Sequence, residues 1–463
     1  MLLRDNKGIL TIIILFLFAN LIFVSYYKDV WWDSSVYIGM GKYLFSFGNS
    51  GLWENSRPLI FPLILGIGWK LGYDDVYFGR FISIVFAILV LLITYKLGAK
   101  LFTKKVGLLA AFFTMFSYTF LFFAPNILTE IPSLFFVLLA FYFFFDKRFF
   151  LMGLFSGIAV MTRLFQVFAL IGLYFVFFIY YFNKRGFSKK LFYVFFGASI
   201  LIVPYFMLNY FLYNNVLLPF ETQSHLTKTT GWMIYKEFGF YFSGLVRENF
   251  ALLFLLAIPF VFKRNFRYYA IALTPAIYII IFSFVKHKEM RFMLIILPFL
   301  YLLLSHCLIE IYRKIRYKRT ALAFFIIVVS LWIITTFNAF SNIAYYKLQR
   351  NDDGLIHFQN YLSTSKNNIW ITNPLYALYS SNRINGLLYF YSSNNLIDFL
   401  EKNKNNVNSM LFNSCDMPCP PRDLDPLCSR SRKILDEYMS NLKVVYQKEI
   451  DSCQYKILER ITS

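Results

Sequence analysis

Long apolar runs separated by short polar segments fill the chain up to about residue 340. Several runs approach 20 residues, the length that an α-helix needs to cross the hydrocarbon core of a bilayer. The pattern therefore predicts a polytopic α-helical membrane protein with about eleven transmembrane helices. The predicted spans are residues 9–27, 76–95, 106–124, 130–145, 149–163, 164–182, 190–213, 248–262, 267–285, 291–309 and 320–340.

The pattern changes after Phe340, where polar segments interrupt much shorter apolar runs. Apolar stretches of this length, bounded by Asn and Pro, are typical of short strands and helices in a soluble domain. We expect a transmembrane domain at 1–340 and a small α/β domain at 341–463. Its predicted strands are Ile369–Ile371, Met410–Phe412, Leu442–Tyr446 and Gln454–Leu458, with a helix at Leu396–Lys402.

Composition supports lipid as the main solvent of this chain. Of its 463 residues, 58% are hydrophobic and only 15% are charged. The net charge of +21 is concentrated in short clusters between spans, such as Lys96–Lys105 and Asn183–Lys190, rather than along one face that would bind nucleic acid. The positive-inside rule then places the N-terminus in the cytoplasm and the C-terminal domain outside. The expected location is the cell membrane of a prokaryote.

Four of the five cysteines lie in the predicted external domain, at Cys415, Cys419, Cys428 and Cys453. An oxidising compartment favours two disulfides there. Free thiols are one alternative, and a metal site is another, although Cys415 and Cys419 lack nearby histidines and the usual paired spacing. Sequence leaves all three disulfide pairings open.

Two acids fall on the predicted outer side of the membrane. Asp33 directly follows Trp31 and Trp32 at the end of the first span, and Glu130 begins a later span after Thr129. Acids at such positions are candidates for catalysis. The alternatives are an ordinary interfacial Asp33, and a Glu130 that only supports a helix start capped by Thr129.

Cations are also concentrated where the positive-inside rule least expects them. Arg57 precedes an apolar segment on the outer side, and Arg163 lies within apolar sequence, where snorkelling to the interface is the alternative. The short outer loop at 286–292 is the densest polar group, with sequence Lys-His-Lys-Glu-Met-Arg-Phe. Such a loop favours an anionic partner at the membrane surface, such as a lipid phosphate.

These groups can perform one kind of chemistry without a cofactor. A carboxylate can take the proton of an acceptor hydroxyl while fixed cations stabilise a departing phosphate. The sequence contains no Walker motif, His-Glu-x-x-His site or convincing Ser-His-Asp arrangement, which argues against nucleotide-driven and hydrolytic enzymes. A transporter or lipid flippase is the main alternative, and a non-catalytic relative is another.

Three segments resemble the GT-C superfamily of membrane glycosyltransferases, which use polyprenyl-phosphate sugars as donors. Trp32-Asp33 with the later Arg57–Pro62, and Thr129–Ser133, are similar to the protein O-mannosyltransferase and aminoarabinose-transferase branch. The segment His287–Phe292 is similar to the His-Lys-Glu-x-Arg-Phe signature of the lumenal mannosyltransferases that build dolichol-linked oligosaccharides. The predicted first outer loop spans residues 28–75, and at Asp33 it has one Asp where the mannosyltransferase branches commonly have paired acids.

The resemblance implies a GT-C fold and transfer of a hexose, with inversion, from a polyprenyl- or dolichyl-phosphate donor. The acceptor would be a lipid-linked glycan, a lipid or a protein on the extracytoplasmic side. Asp33 would be the catalytic base and Glu130 the second-loop acid. No cofactor is expected, with a divalent ion held by Asp33 and Glu130 as the alternative. The donor phosphate would be bound by Arg57, Lys288, Arg291, His287 and Arg163, with Glu289 shaping that site.

Overall fold

The computed structural model describes residues 7–26, 30–229, 235–257, 266–315, 317–346, 358–362, 368–388, 393–403, 407–417, 419, 427–450 and 452–461. The chain forms two compact units. The first unit is made of residues 1–28, 80–217 and 236–349. The second unit is made of residues 29–79, 218–235 and 350–463.

Helices dominate the chain as far as residue 346, and strands are concentrated near its C-terminus. The α-helices are α1 Lys7–Tyr26, α2 Trp32–Phe45, α3 Ile60–Lys70, α4 Asp75–Leu101, α5 Lys104–Met115, α6 Tyr118–Phe123, α7 Glu130–Phe145, α8 Phe149–Thr162, α9 Gln166–Tyr181, α10 Phe187–Tyr213, α11 Leu218–Thr229, α12 Phe240–Glu248, α13 Phe266–Phe284, α14 Leu297–Lys314, α15 Lys318–Tyr346, α16 Ser393–Asn403 and α17 Cys428–Ser440. The strands are β1 Gly51–Leu52, β2 Ile369–Ile371, β3 Arg383–Leu387, β4 Ser409–Asn413, β5 Leu442–Ile450 and β6 Cys453–Arg460.

Among the described residues, three helices are long and apolar enough to cross a membrane, namely α1, α4 and α10. Six shorter apolar helices accompany them, so the count of eleven spans stays a prediction. Three predicted spans are not single continuous α-helices. The predicted span at 291–309 begins in a 3-10 helix, Met290–Ile295, which α14 follows. Phe116 and Ser117 separate α5 from α6, and the run at 248–262 contains a 3-10 helix, Phe250–Ala257, with residues 258–262 outside the described part.

Small residues allow close helix packing in the first unit. A Cβ atom added to Gly153 of α8 would lie 1.9 Å from the carbonyl oxygen of Val194 on α10. A Cβ atom on Gly197 of α10 would lie 2.3 Å from the carbonyl oxygen of Phe150 on α8. The backbones of α8 and α10 are therefore so close that a larger residue at these positions would clash. Small residues commonly allow such close packing between membrane helices, where the hydrophobic effect does not drive association.

The second unit contains a six-stranded sheet with the order β1-β3-β2-β4-β6-β5. Strands β1, β3, β2 and β4 are parallel, whereas β6 pairs antiparallel with both β4 and β5. The predicted strands and helix of the tail are confirmed. Strand β1, however, comes from the first outer loop, so the compact unit around this sheet extends beyond the predicted domain at 341–463.

Helix α2 of the first outer loop covers one face of that sheet. Val36 and Met40, one helical turn apart, are fully buried in the same apolar cluster as Leu52 of β1, Ile369 of β2 and Leu411 of β4. Burying such side chains stabilises a fold by about 1.5–3 kcal/mol each. The loop is thus an integral part of the second unit's core.

Two disulfides connect the four C-terminal cysteines. Cys415 bonds to Cys453 across 38 residues, and Cys419 bonds to Cys428 across nine. Of the three alternatives raised by the sequence, the disulfide interpretation is the one that the structure contains. Most of the Pro-rich segment between Cys419 and Cys428 lies outside the described residues.

The two disulfides should differ in their contribution to stability. In the chain-entropy account, closing a loop of 38 residues stabilises a fold by about 4 kcal/mol, against roughly 2.5 kcal/mol for one of nine. We therefore expect Cys415→Ser/Cys453→Ser to lower the thermal midpoint of the second unit more than Cys419→Ser/Cys428→Ser. Scanning calorimetry of the two variants in one detergent tests this, and equal midpoints would contradict the loop-length argument.

Candidate active site

The structure divides the predicted site residues between the two units. Asp33 and Arg57 lie in the second unit, whereas Glu130, Arg163 and the outer loop at 287–291 lie in the first. Each group forms its own network of charged side chains, and each is described separately.

Asp33 lies in the first turn of α2, where its negative charge is stabilised by the helix dipole. Its Oδ1 lies 2.6 Å from Nη2 of Arg57. Arg57 also donates from Nη1 to the hydroxyl of Tyr37 at 3.1 Å. Tyr37 is four residues after Asp33, so both side chains share one helix face. The structure thus joins two residues that are 24 positions apart in sequence and that the sequence had assigned to different roles.

Glu54 is a member of this group that the sequence analysis missed. Its Oε1 lies 3.5 Å from Nε of Arg57 and accepts a hydrogen bond from the Ser56 hydroxyl at 2.5 Å. One guanidinium therefore pairs with two acids. The sequence analysis had noted one Asp rather than paired acids in the first outer loop, and the spacing of Glu54 three residues before Arg57 was the available signal for a second acid in this group.

Burial shapes the charge state of this group. Asp33, Glu54 and Arg57 have side chains only 11–18% exposed. Burial by itself lowers the pKa of Arg57, but the charges of Asp33 and Glu54 outweigh it and hold that pKa well above its ordinary value. The guanidinium is thus a fixed positive charge beside the Asp33 carboxylate.

Glu130 forms the centre of a second group. Its side chain is 1% exposed, and its Oε1 lies 3.1 Å from Nη1 of Arg163 and 3.7 Å from Nε of Arg291. Neither carboxylate oxygen has a hydrogen bond of good geometry within the described part of the chain. A buried carboxylate so placed is held by charge attraction rather than by directed donors.

The alternative of a helix capped by Thr129 is not observed. The Thr129 side chain accepts no hydrogen bond from the backbone at the start of α7. The Thr129 hydroxyl instead accepts from Nη1 of Arg163 at 3.1 Å. Arg163 occupies an extended break between α8 and α9 and is 11% exposed. Its guanidinium lies 5.5 Å from the Phe292 ring and 5.7 Å from the Phe165 ring. Pairing with Glu130, rather than snorkelling to the interface, is how this arginine is accommodated.

The outer loop at 287–291 joins the same group. Glu289 accepts from Nη2 of Arg291 at 2.9 Å and lies 2.8 Å from Nε, a two-point contact, and its Oε1 lies 2.7 Å from Nε2 of His287. Lys288 is buried and donates to the carbonyl oxygen of Lys236 at 3.0 Å. Burial lowers the pKa of Lys288. The loop therefore supplies three nitrogen-bearing side chains and one acid.

Two arginines, Arg163 and Arg291, face two carboxylates, Glu130 and Glu289, in this group. A phosphate, like a carboxylate, binds a guanidinium through two oxygens, so an anionic ligand that takes both of these contacts on Arg291 displaces the Glu289 carboxylate. Within the described residues, no three metal-binding side chains cluster. The divalent-ion alternative therefore rests only on Asp33 and Glu130, each of which has an arginine partner in its own unit.

Comparison with known proteins agrees with this architecture. The sequence matches the family model described as dolichyl-phosphate-mannose-protein mannosyltransferase over residues 56–210, about a third of the chain. The structure is similar to that of ArnT from Cupriavidus metallidurans bound to undecaprenyl phosphate, with a TM-score of 0.67 and 10% identity over 99% of both chains. The chain has the GT-C fold.

The GT-C chain is also similar to the oligosaccharyltransferase AglB from Archaeoglobus fulgidus, in complex with an inhibitory peptide and a dolichol-phosphate. The TM-score is 0.64 at 12% identity, over 98% of this chain and 74% of AglB. No curated protein matches the sequence. The fold predicted from the motifs is confirmed, whereas the loop at 287–292 lies beyond the matched family segment.

The charge network around Glu289 makes stability depend on pH. Burial raises the pKa of Glu289, but the hydrogen bond with His287 and the charge of Arg291 outweigh it, so the pKa lies below its ordinary value of 4.5. A lowered carboxyl pKa contributes stability above the unfolded value, and this is lost as pH falls through the folded value. Glu289→Gln should thus lower the thermal midpoint at pH 7, with a difference from wild type that shrinks below about pH 4.

Thermal unfolding in detergent across pH 3–8 measures this effect. The exposed acid Glu437 on α17 provides the matched control, and Glu437→Gln should follow the wild-type curve. A Glu289→Gln difference that stayed constant from pH 7 to pH 3 would contradict the assigned charge state.

Proposed function

We propose that this GT-C chain is a glycosyltransferase that moves one hexose, such as mannose or glucose, from a polyprenyl or dolichyl monophosphate to an acceptor hydroxyl. The acceptor is a lipid-linked glycan, a lipid or a protein on the extracytoplasmic side. The observation that carries the proposal is the Asp33–Arg57 pair, a partly buried carboxylate with a fixed cation in the first outer loop of a GT-C fold.

The transfer is a single displacement. Asp33 takes the proton of the acceptor hydroxyl as its oxygen bonds to the anomeric carbon of the sugar, and the bond from that carbon to the phosphate oxygen breaks. Attack opposite the departing phosphate inverts the anomeric centre. The phosphate leaves with an added negative charge, which Arg57, Lys288 and Arg291 stabilise.

The remaining members of the two groups have supporting roles. Glu130 orients the acceptor or the base, and Arg163 and His287 add to the positive field around the phosphate. Before the donor binds, Glu289 forms an ion pair with Arg291, so that the arginine is never a buried unpaired charge. No cofactor enters this scheme.

Two further observations support a polyprenyl-phosphate donor and the proposed orientation of the chain in the membrane. Undecaprenyl phosphate and dolichol-phosphate are the ligands named for the similar ArnT and AglB structures. Disulfides persist in oxidising compartments, and both disulfides lie in the tail that the positive-inside rule places outside. We therefore propose a cytoplasmic N-terminus and an extracytoplasmic C-terminal region.

Replacing Asp33 should abolish transfer. A general base contributes about 10²–10⁴ in rate, so Asp33→Asn should lower kcat at least roughly hundredfold while the protein remains folded. The measurement uses purified protein in nanodiscs, radiolabelled polyprenyl-phosphate mannose or glucose, and a membrane lipid extract. Asp436→Asn, at an exposed acid on α17 of the same unit, should retain wild-type turnover.

The outcomes of that experiment separate the alternatives. Full turnover by Asp33→Asn would reject the assignment of the base. Intact donor after incubation of the wild type with each sugar would reject glycosyl transfer, and flux of labelled lipid across vesicles would then test the transporter alternative.

Lys288 and Lys286 provide a matched pair for the phosphate assignment. Lys288 is buried, whereas Lys286, two residues away in the same loop, is exposed. Lys288→Met should raise the KM for the lipid-phosphate donor about tenfold, equivalent to about 1.4 kcal/mol. Lys286→Met should leave it unchanged. Equal KM values for the two variants, measured by initial rates over a donor series, would remove Lys288 from the phosphate site.

A further inference from the structure

Lys42 is a buried cation of α2 to which the proposed reaction gives no role. Its side chain is 5% exposed, and its Nζ lies 2.7 Å from Oδ2 of Asp75 and donates to the carbonyl oxygen of Leu378 at 2.7 Å. An ammonium group withdrawn from water is stable only when it is paired and hydrogen-bonded. Here the two partners come from the start of α4 and from the 3-10 helix Pro374–Leu378 that follows β2.

Lys42 is on the same helix as Asp33 but does not act on it directly. The two residues are nine positions apart, which corresponds to about 13.5 Å along a helix axis and to opposite helix faces. An influence of Lys42 on Asp33 therefore has to pass through the placement of α2 as a rigid element.

A second contact fixes the same end of α2. Strand β1 begins at Gly51, which has a φ of +80°, and a Cβ atom there would lie 2.3 Å from the carbonyl oxygen of Gly39 and 2.7 Å from Cβ of Lys42. Because β1 also pairs with β3, the backbone between α2 and α3 is built into the C-terminal sheet. The segment that follows β1 contains Glu54 and Arg57, which form the charged group with Asp33.

The opposite side of α2 is fixed against α3. A Cβ atom on Gly41 would lie 2.8 Å from the backbone nitrogen of Gly66 and 2.8 Å from the carbonyl oxygen of Pro62. Asp33 lies at the start of α2, and Arg57 lies just before α3. Because α2 and α3 are in backbone contact, the segments that hold the two residues are fixed against each other. Lys42 links α2 to the C-terminal segment through a charged side chain, because its ammonium group donates to the carbonyl oxygen of Leu378.

We propose that Lys42 is a positioning residue, which fastens α2 to Asp75 and to the C-terminal segment at Leu378 and so fixes the geometry of the Asp33–Arg57 pair. This inference rests on the proposed glycosyl transfer. In this proposal the C-terminal region contributes to the reaction, because its sheet and the 3-10 helix Pro374–Leu378 hold α2, the helix that carries Asp33.

The test compares Lys42→Met with Lys42→Met/Asp75→Leu and with the control Lys70→Met. Methionine keeps an unbranched side chain, one atom shorter than that of lysine, and removes both polar contacts, whereas the double variant also removes the Asp75 carboxylate that Lys42→Met leaves without this partner. Lys70 is an exposed lysine at the end of α3. Initial rates of donor turnover are measured in nanodiscs, together with hydrogen exchange of the α2 amides by mass spectrometry.

We expect about a tenfold fall in kcat for both Lys42 variants, with the KM for the donor within threefold of wild type and faster exchange across α2. Lys70→Met should match wild type in every readout. A purely structural role would instead lower the yield of folded protein while leaving kcat per folded molecule unchanged, and that result would overturn the proposal.

Wild-type kcat and unchanged α2 exchange in both Lys42 variants would overturn it equally. Failure of the proposed function has a different signature, because the wild-type protein itself would then transfer no sugar. The Lys42 inference fails on its own when the wild type is active, Asp33→Asn is inactive and the Lys42 variants keep the wild-type kcat per folded molecule.

Discussion

Buried charge needs a partner of opposite charge, and this requirement shapes both units of the molecule. Glu130, 1% exposed, is held between the guanidinium groups of Arg163 and Arg291. In the other unit, Arg57 pairs with two acids and Lys42 pairs with Asp75. Except for the Arg57–Glu54 contact, each pairing joins segments that are distant in sequence, so the loops that carry these residues are fixed by electrostatics as well as by apolar packing.

The first outer loop illustrates how far this reaches. It supplies α2 and α3, one strand of the C-terminal sheet, and apolar side chains such as Val36 and Met40 to the core of that sheet. These contacts fix the position of the loop, so that it supports Asp33 rigidly. Rigid support matters for a base, since proton transfer requires its oxygen to remain within hydrogen-bond reach of the reacting hydroxyl.

The GT-C fold is shared with ArnT and AglB at 10–12% identity. At such identity the fold is retained by helix lengths and apolar faces, while the chemistry depends on a few side chains at particular points. In this chain those points hold carboxylate and guanidinium groups in pairs. The proposed transfer uses that arrangement, because each arginine has an acid as partner before the donor phosphate binds.

The sequence by itself determined the membrane character, the main helices, the strands of the tail and most of the charged candidates, because apolar periodicity and isolated charges in apolar sequence are local signals. Tertiary structure alone decided the disulfide pairing, the entry of β1 into the C-terminal sheet and the pairing of Arg57 with Asp33. Thr129 shows the same limit, since the sequence favoured a helix cap and the fold gave its hydroxyl to Arg163. These outcomes depend on contacts between residues far apart along the chain, which no local pattern records.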